Sequence, residues 1–154
     1  MTNWARWAVV SLAAAIASCG RPPLPAAPAA DAHAGPPMWQ AVAPCPDEAA
    51  YATDTRTVTF GFLSAPGMPA GFSYDPKCLA IHAGDAVTFS GSFAAHPLYP
   101  SARRGTLADN PISGTSTSER RDFVFSRAGF FAYYCGVHGG ADDGATMAGV
   151  VWVR

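Results

Sequence analysis

Four residues carry the chemistry open to this chain, and three of them share one stretch. Residues 130–153 read FFAYYCGVHGGADDGATMAGVVWV. An apolar, aromatic run ends in Cys135, a Gly-rich loop holds His138, and Met147 stands just before a Val/Trp run. One short segment thus delivers a thiolate, an imidazole and a thioether. Soft sulfur plus imidazole selects copper or zinc over hard cations, and a single thiolate with a weak thioether is the donor pattern of an electron-transfer copper site. Such a site needs a second imidazole, and His96 in GSFAAHPLYP is available.

The elements that must position these side chains read as strands. Period-two alternation marks 57–62, where Val58, Phe60 and Phe62 share a face. Residues 64–71, SAPGMPAG, supply turn chemistry. Residues 77–82 and 86–93 flank the short turn Ala83-Gly84-Asp85, and Val87 and Phe89 face inward. From Tyr99 to Ser118 the chain is polar and reads as an irregular crossing with at most a short edge strand. Residues 122–125, 129–134 and 149–154 complete the set. Seven to eight strands at this spacing imply an all-β, Greek-key β-sandwich. Fifteen Gly, fourteen Pro and nine Phe agree with many turns around an aromatic core. Cys135 has the parity of Phe131 and Tyr133, so its sulfur points with them into the sandwich. A thiolate buried there is stable only against a cation. His138, in a glycine-flanked turn, can bring its ring back to the same ion, with Gly136, Gly139 and Gly140 letting the backbone fold close. His96, just after a strand, would tie the two sheets together.

Over roughly residues 57–154 these features resemble the cupredoxins, the small blue-copper proteins such as plastocyanin and pseudoazurin. The matching motifs are strand 87–93 leading to His96, the C-x-x-H pair Cys135/His138, and Met-x-Gly-x-Val from Met147 to Val151. Eight residues separate His138 from Met147, more than is common in that family. Pro97 stands where relatives often carry Asn or Ser. The resemblance implies one copper ion, Cu(I)/Cu(II), held by His96, Cys135 and His138 with Met147 as weak axial ligand. It implies one-electron transfer between redox proteins such as a c-type cytochrome or a membrane electron-transfer complex. A core methionine is the other reading of Met147.

The remaining cysteines organise the rest of the chain. Residues 1–18 have a basic start at Arg6 and an apolar run from Trp7 to Ile16, too short to span a bilayer but suited to a signal peptide. The ending Ile16-Ala17-Ser18-Cys19 resembles a bacterial lipobox, which implies lipidation of Cys19 and a membrane held only through that anchor. An ordinary export signal cut near Ala17 or Ser18 is the alternative. Residues 20–44 hold seven Pro and eight Ala, so 19–44 read as a semi-extended tether before a domain at 45–154. His33 and Met38 fall here as incidental residues. With Cys19 given to lipid and Cys135 to metal, Cys45 and Cys78 are left to form a disulfide in an exported, periplasmic protein. Metal binding by either lacks any C-x-x-C spacing.

Ten basic residues against eleven acidic ones imply no nucleic-acid or anionic-membrane partner. Catalysis is not indicated, because copper oxidases need further His clusters and the four histidines contain no H-x-H pair. The chain therefore reads as a monomeric electron carrier rather than an enzyme. A periplasmic copper carrier or storage protein is the competing function, and such proteins favour exposed arrays of Met and His. A docking surface is expected on the apolar rim Val137, Ala141, Pro97 and Leu98. Asp142-Asp143, Arg103-Arg104 and Arg120-Arg121 are available to steer a partner.

Overall fold

A computed structural model describes residues 38–64, 70–103, 105–106 and 108–154. The export-signal segment 1–18, Cys19, His33, most of the tether, Met68 and Arg104 lie outside the described residues. Eight strands follow in chain order: β1 Thr57–Leu63, β2 Gly71–Asp75, β3 Cys78–Ile81, β4 Ala86–Ser90, β5 Leu98–Ser101, β6 Arg120–Val124, β7 Gly129–Gly139 and β8 Thr146–Val153. They form two four-stranded sheets, β2-β1-β4-β6 and β3-β8-β7-β5. The chain is thus the all-β sandwich expected from its sequence. Pairing is parallel for β1/β4 and β3/β8 and antiparallel elsewhere. Among the described residues no helix is long and apolar enough to cross a membrane.

Alternation explains most of the main core. Val58 and Phe60 from β1, Val87 and Phe89 from β4, and Phe131, Tyr133, Val151 and Val153 from β7 and β8 all enter one buried cluster. Two departures from the expected pattern matter for the site. Phe62 shares the parity of Val58 and Phe60 but is 64% exposed, packing instead on Phe72 with ring centroids 5.5 Å apart. Strand β2, which follows the expected turn, was not legible as a strand, because Gly71-Phe-Ser-Tyr-Asp is short and begins at a glycine.

The runs FFAYY and VVWV do not alternate, and the structure gives the reason. Strand β7 is buried on both faces from Gly129 to Tyr133, and β8 from Met147 to Val153. Continuous apolar runs of this kind belong to strands covered on both sides. One face meets the opposite sheet. The other carries Phe130, Ala132, Val150 and Trp152, which are covered by Val42, Cys45 and Tyr51 with Trp39 against them. Trp152 stacks on Phe130 at 5.6 Å and meets the edge of Tyr51 at 5.5 Å. A disulfide between Cys45 and Cys78 staples this covering segment to β3. Ala52 reinforces it, donating its N–H to Cys78 O at 3.0 Å and accepting from Ala80 N–H at 2.8 Å.

Candidate metal centre

His96 lies in the crossing between β4 and β5. Its N–H donates to the Ser92 carbonyl at 2.9 Å, and the Phe93 N–H donates to Ser118 at 3.2 Å. With Phe93 fully buried, this short turn holds the backbone that carries the imidazole, itself 6% exposed. Proline at 97 offers no N–H, so the tie across the site runs the other way: the Pro97 carbonyl accepts the Gly136 N–H at 2.8 Å.

Cys135 and His138 meet because β7 and β8 fall out of register. Tyr134 pairs with Ala148 and Gly139 with Thr146, with a register shift between the two pairs. Residues 135–138 therefore stand opposite Met147 alone. A bulge bends its strand and re-aims the side chains it carries. The sequence predicts a turn after the strand at His138. Instead β7 continues to Gly139, and the bulge performs the reversal. Gly139 is required there, since a β-carbon would lie 2.2 Å from the Met147 carbonyl oxygen and 2.9 Å from the Cys135 nitrogen. Thr146 adopts φ 58°, unfavourable for a β-branched residue, and its hydroxyl donates to the His138 carbonyl.

The donor atoms converge. His96 Nδ1 lies 3.1 Å from His138 Nδ1, and Cys135 Sγ lies 3.9 Å and 3.7 Å from those two nitrogens. Three donors standing about 2.0–2.3 Å from a common centre present edges of this size. The set therefore fits a single metal ion, with both rings turning Nδ1 inward. Burial, and then the charge of His138, lower the His96 pKa, which keeps its lone pair available as a donor. Cys135 is fully buried and is the free cysteine among the described residues. The core on its side is aromatic: Tyr133 meets Tyr74 edge-on at 4.9 Å and Phe89 at 5.0 Å. Met147 is fully buried in the same cluster, on the strand facing the bulge.

Phe72 is a site residue that the sequence did not announce. Its ring stacks on His138 with centroids 4.1 Å apart and planes 23° from parallel, and it also leans on His96 at 5.1 Å. The Phe72/Tyr74 alternation was the available signal, hidden by the adjoining Gly/Pro turn. The expected rim changes composition. Leu98 is fully buried and belongs to the core, whereas Val137 is 65% exposed and Phe62 and Phe72 join it at the surface. Arg103, expected among the steering charges, is only 5% exposed and cannot serve that purpose.

No protein-family model matches the chain, and no curated protein matches it significantly. Solved structures similar to it include pseudoazurins and a purple cupredoxin. Pseudoazurin from Hyphomicrobium denitrificans shares 20% identity, covering 66% of this chain and 75% of that one, with a TM-score of 0.48. Pseudoazurin from Methylobacterium extorquens AM1 shares 21%, covering 63% and 72%, with a TM-score of 0.43. A purple cupredoxin from Nitrosopumilus maritimus shares 18%, covering 65% and 100%, with a TM-score of 0.40.

Proposed function

We propose that the chain is a cupredoxin: His96, Cys135 and His138, with Met147 as a weaker fourth donor, would hold one copper ion, and the protein passes single electrons between redox proteins. The observation that carries this reading is the His-Cys-His triangle, with His96 and Cys135 buried and edges of 3.1, 3.7 and 3.9 Å. Bound copper would supply a one-electron couple whose charge is shared with the thiolate. The protein's part is to hold the donors still. His96 is fixed by its turn, and Cys135 and His138 by the bulge. Donors so constrained move little between oxidation states, which favours electron exchange over release of the ion. His138 is half-buried beneath the partly exposed Phe72, so the route from the donor set to the surface is short. The exposed apolar residues Phe62, Phe72 and Val137 give a redox protein a dry surface to approach, which supports an electron-carrier role. Export, with a lipid anchor at Cys19 on the periplasmic side of a bacterial membrane, is part of the proposal and rests on the sequence pattern alone.

The test uses the full chain with one equivalent of Cu(II). An intense visible thiolate-to-copper charge-transfer band is expected, lost in Cys135→Ser. Tight copper binding without that colour would sink the reading. Repeated reduction and reoxidation in the presence of a Cu(I) chelator separates the two functions: an electron carrier keeps its copper, and a copper carrier surrenders it.

A further inference from the structure

The loop joining β7 to β8, residues 140–145, has a fastener of its own. Arg103 follows β5 and is buried. Its Nη2 donates to the Tyr133 carbonyl at 2.9 Å and to the Gly149 carbonyl at 3.2 Å. Those two residues are register partners across β7 and β8; one stands two positions before Cys135, the other two positions after Met147. Nη1 lies against Gly144 in the loop, so close that a β-carbon on Gly144 would come within 2.0 Å of it. Gly144 is buried with φ 70°, a conformation that suits glycine. The Arg103 backbone is itself held, since the Thr106 N–H and hydroxyl donate to its carbonyl at 3.0 and 2.6 Å. Nearby, the Ser101 hydroxyl donates to the Ala141 carbonyl in the loop.

Packing alone does not explain an arginine here. Its Nε and Nη1 have no hydrogen-bond partner among the described residues, and burial lowers its pKa despite the opposing charge of Asp143 in the loop, so the buried charge is costly. What arginine adds is one rigid fork that touches both ligand-bearing strands and the loop joining them. We propose that Arg103 is a positioning residue for the metal centre: it clamps loop 140–145 to the β7/β8 pair and so fixes His138 and Met147 relative to Cys135. Its bearing on copper rests on the reading above; the clamp itself does not.

The experiment compares the full chain with Arg103→Met and Arg103→Lys. In metal-free protein, hydrogen exchange is read at Gly140, whose N–H donates to Ala145 O at 3.0 Å, and at Ala145, whose N–H donates to Asp143 Oδ1 at 2.8 Å. Arg103→Met should speed both about tenfold or more, the loss expected when hydrogen bonds from a charged group are removed. Amides of β4, in the opposite sheet, should not change, and Arg103→Lys should fall between. Unchanged loop exchange, or equal acceleration in both sheets, overturns the clamp. With copper, Arg103→Met should weaken binding by about 10- to 100-fold, the usual effect of losing a group that orients ligands, with partial rescue by lysine. Unaltered affinity in a variant whose loop has loosened overturns the link to the metal. A wild type that takes up no copper instead defeats the copper reading, while the exchange data still decide the clamp.

Discussion

Removing the Cys45–Cys78 staple should cost much stability and leave the metal centre intact. The bridge spans a sequence separation of 33. In the chain-entropy treatment a loop of that length loses about 12 cal/mol/K in the unfolded state, or about 4 kcal/mol at 25 °C. The double variant Cys45→Ala/Cys78→Ala removes the link without leaving a buried hydroxyl or thiol unpaired. Ala52 still bonds to β3 on both sides, so the covering segment should stay docked, though more weakly. For a folded domain of this size each kcal/mol shifts the melting temperature by roughly 3–6 °C. The expected fall is therefore on the order of 10–20 °C.

Thermal denaturation of the metal-free full chain, followed by near-ultraviolet circular dichroism, reads this directly. Wild type held in reductant should melt with the double variant, which checks that the sulfur link and not the alanines causes the loss. The copper spectrum should survive, because the two cysteines lie in the cluster on the outer face of β7 and β8 while Cys135 points into the other. A fall below about 1 kcal/mol would refute the loop-closure reasoning. Loss of the visible band would show that the covering segment supports the donors after all.

Three other outcomes follow from the same geometry. Met147→Leu should raise the reduction potential with the colour kept, because removing a weak thioether donor withdraws support from Cu(II), and Met147→Gln should lower it; wild-type potentials in both would remove Met147 from the ligand set. Phe72→Ala should cost about 0.5–1.5 kcal/mol, the worth of an aromatic pair, and let a chelator strip copper faster by uncovering His138; an unchanged stripping rate would show that the ring shields nothing. In a bacterium with lipoprotein processing the full chain should partition into membranes and be released by Cys19→Ala, and wild type found free in the periplasmic fraction would end the tether idea.

How legible the site was depended on whether a local pattern or a long-range contact creates each part. Cys135 and His138 are three residues apart, and the parity of Phe131, Tyr133 and Cys135 sets the direction of the sulfur, so sequence alone could place them. His96 was legible as an imidazole just after a strand, but His82 also adjoins a strand, so only the cupredoxin resemblance told the two apart. The bulge was not legible, because nothing in GVHGG distinguishes a turn from a register shift that depends on β8. Phe72 was missed for a similar reason: its role arises from β2 lying beside His138, a contact between distant segments. Arg103 was misread because an Arg-Arg pair in a polar stretch ordinarily faces water. Its burial is decided by the Tyr133 and Gly149 carbonyls and by Gly144, none of them near it in sequence. The non-alternating runs in β7 and β8 did carry information, since apolar residues on both parities mean cover on both faces. What they could not say was that residues 39–52 provide it.

The donors come from structurally separate devices, and this bears on how the site behaves. His96 sits on the crossing from one sheet to the other, so its position depends on both. Cys135 and His138 depend on a bulge whose partner strand carries Met147. A loosening of either sheet therefore moves at least one donor away from the others. Binding free energy gained by an ion held across such a set is also free energy of folding, because the spacing does not exist in the unfolded chain. The converse holds too. Strands β7 and β8, packed on both faces, resist the displacement that a change of oxidation state would ask of Cys135. The three donors are thus held in place by packing remote from them. Rigidity at the triangle is then a property of the two cores, and substitutions in Trp152 or Phe130, which touch no donor, should register in the spectrum only if that packing fails.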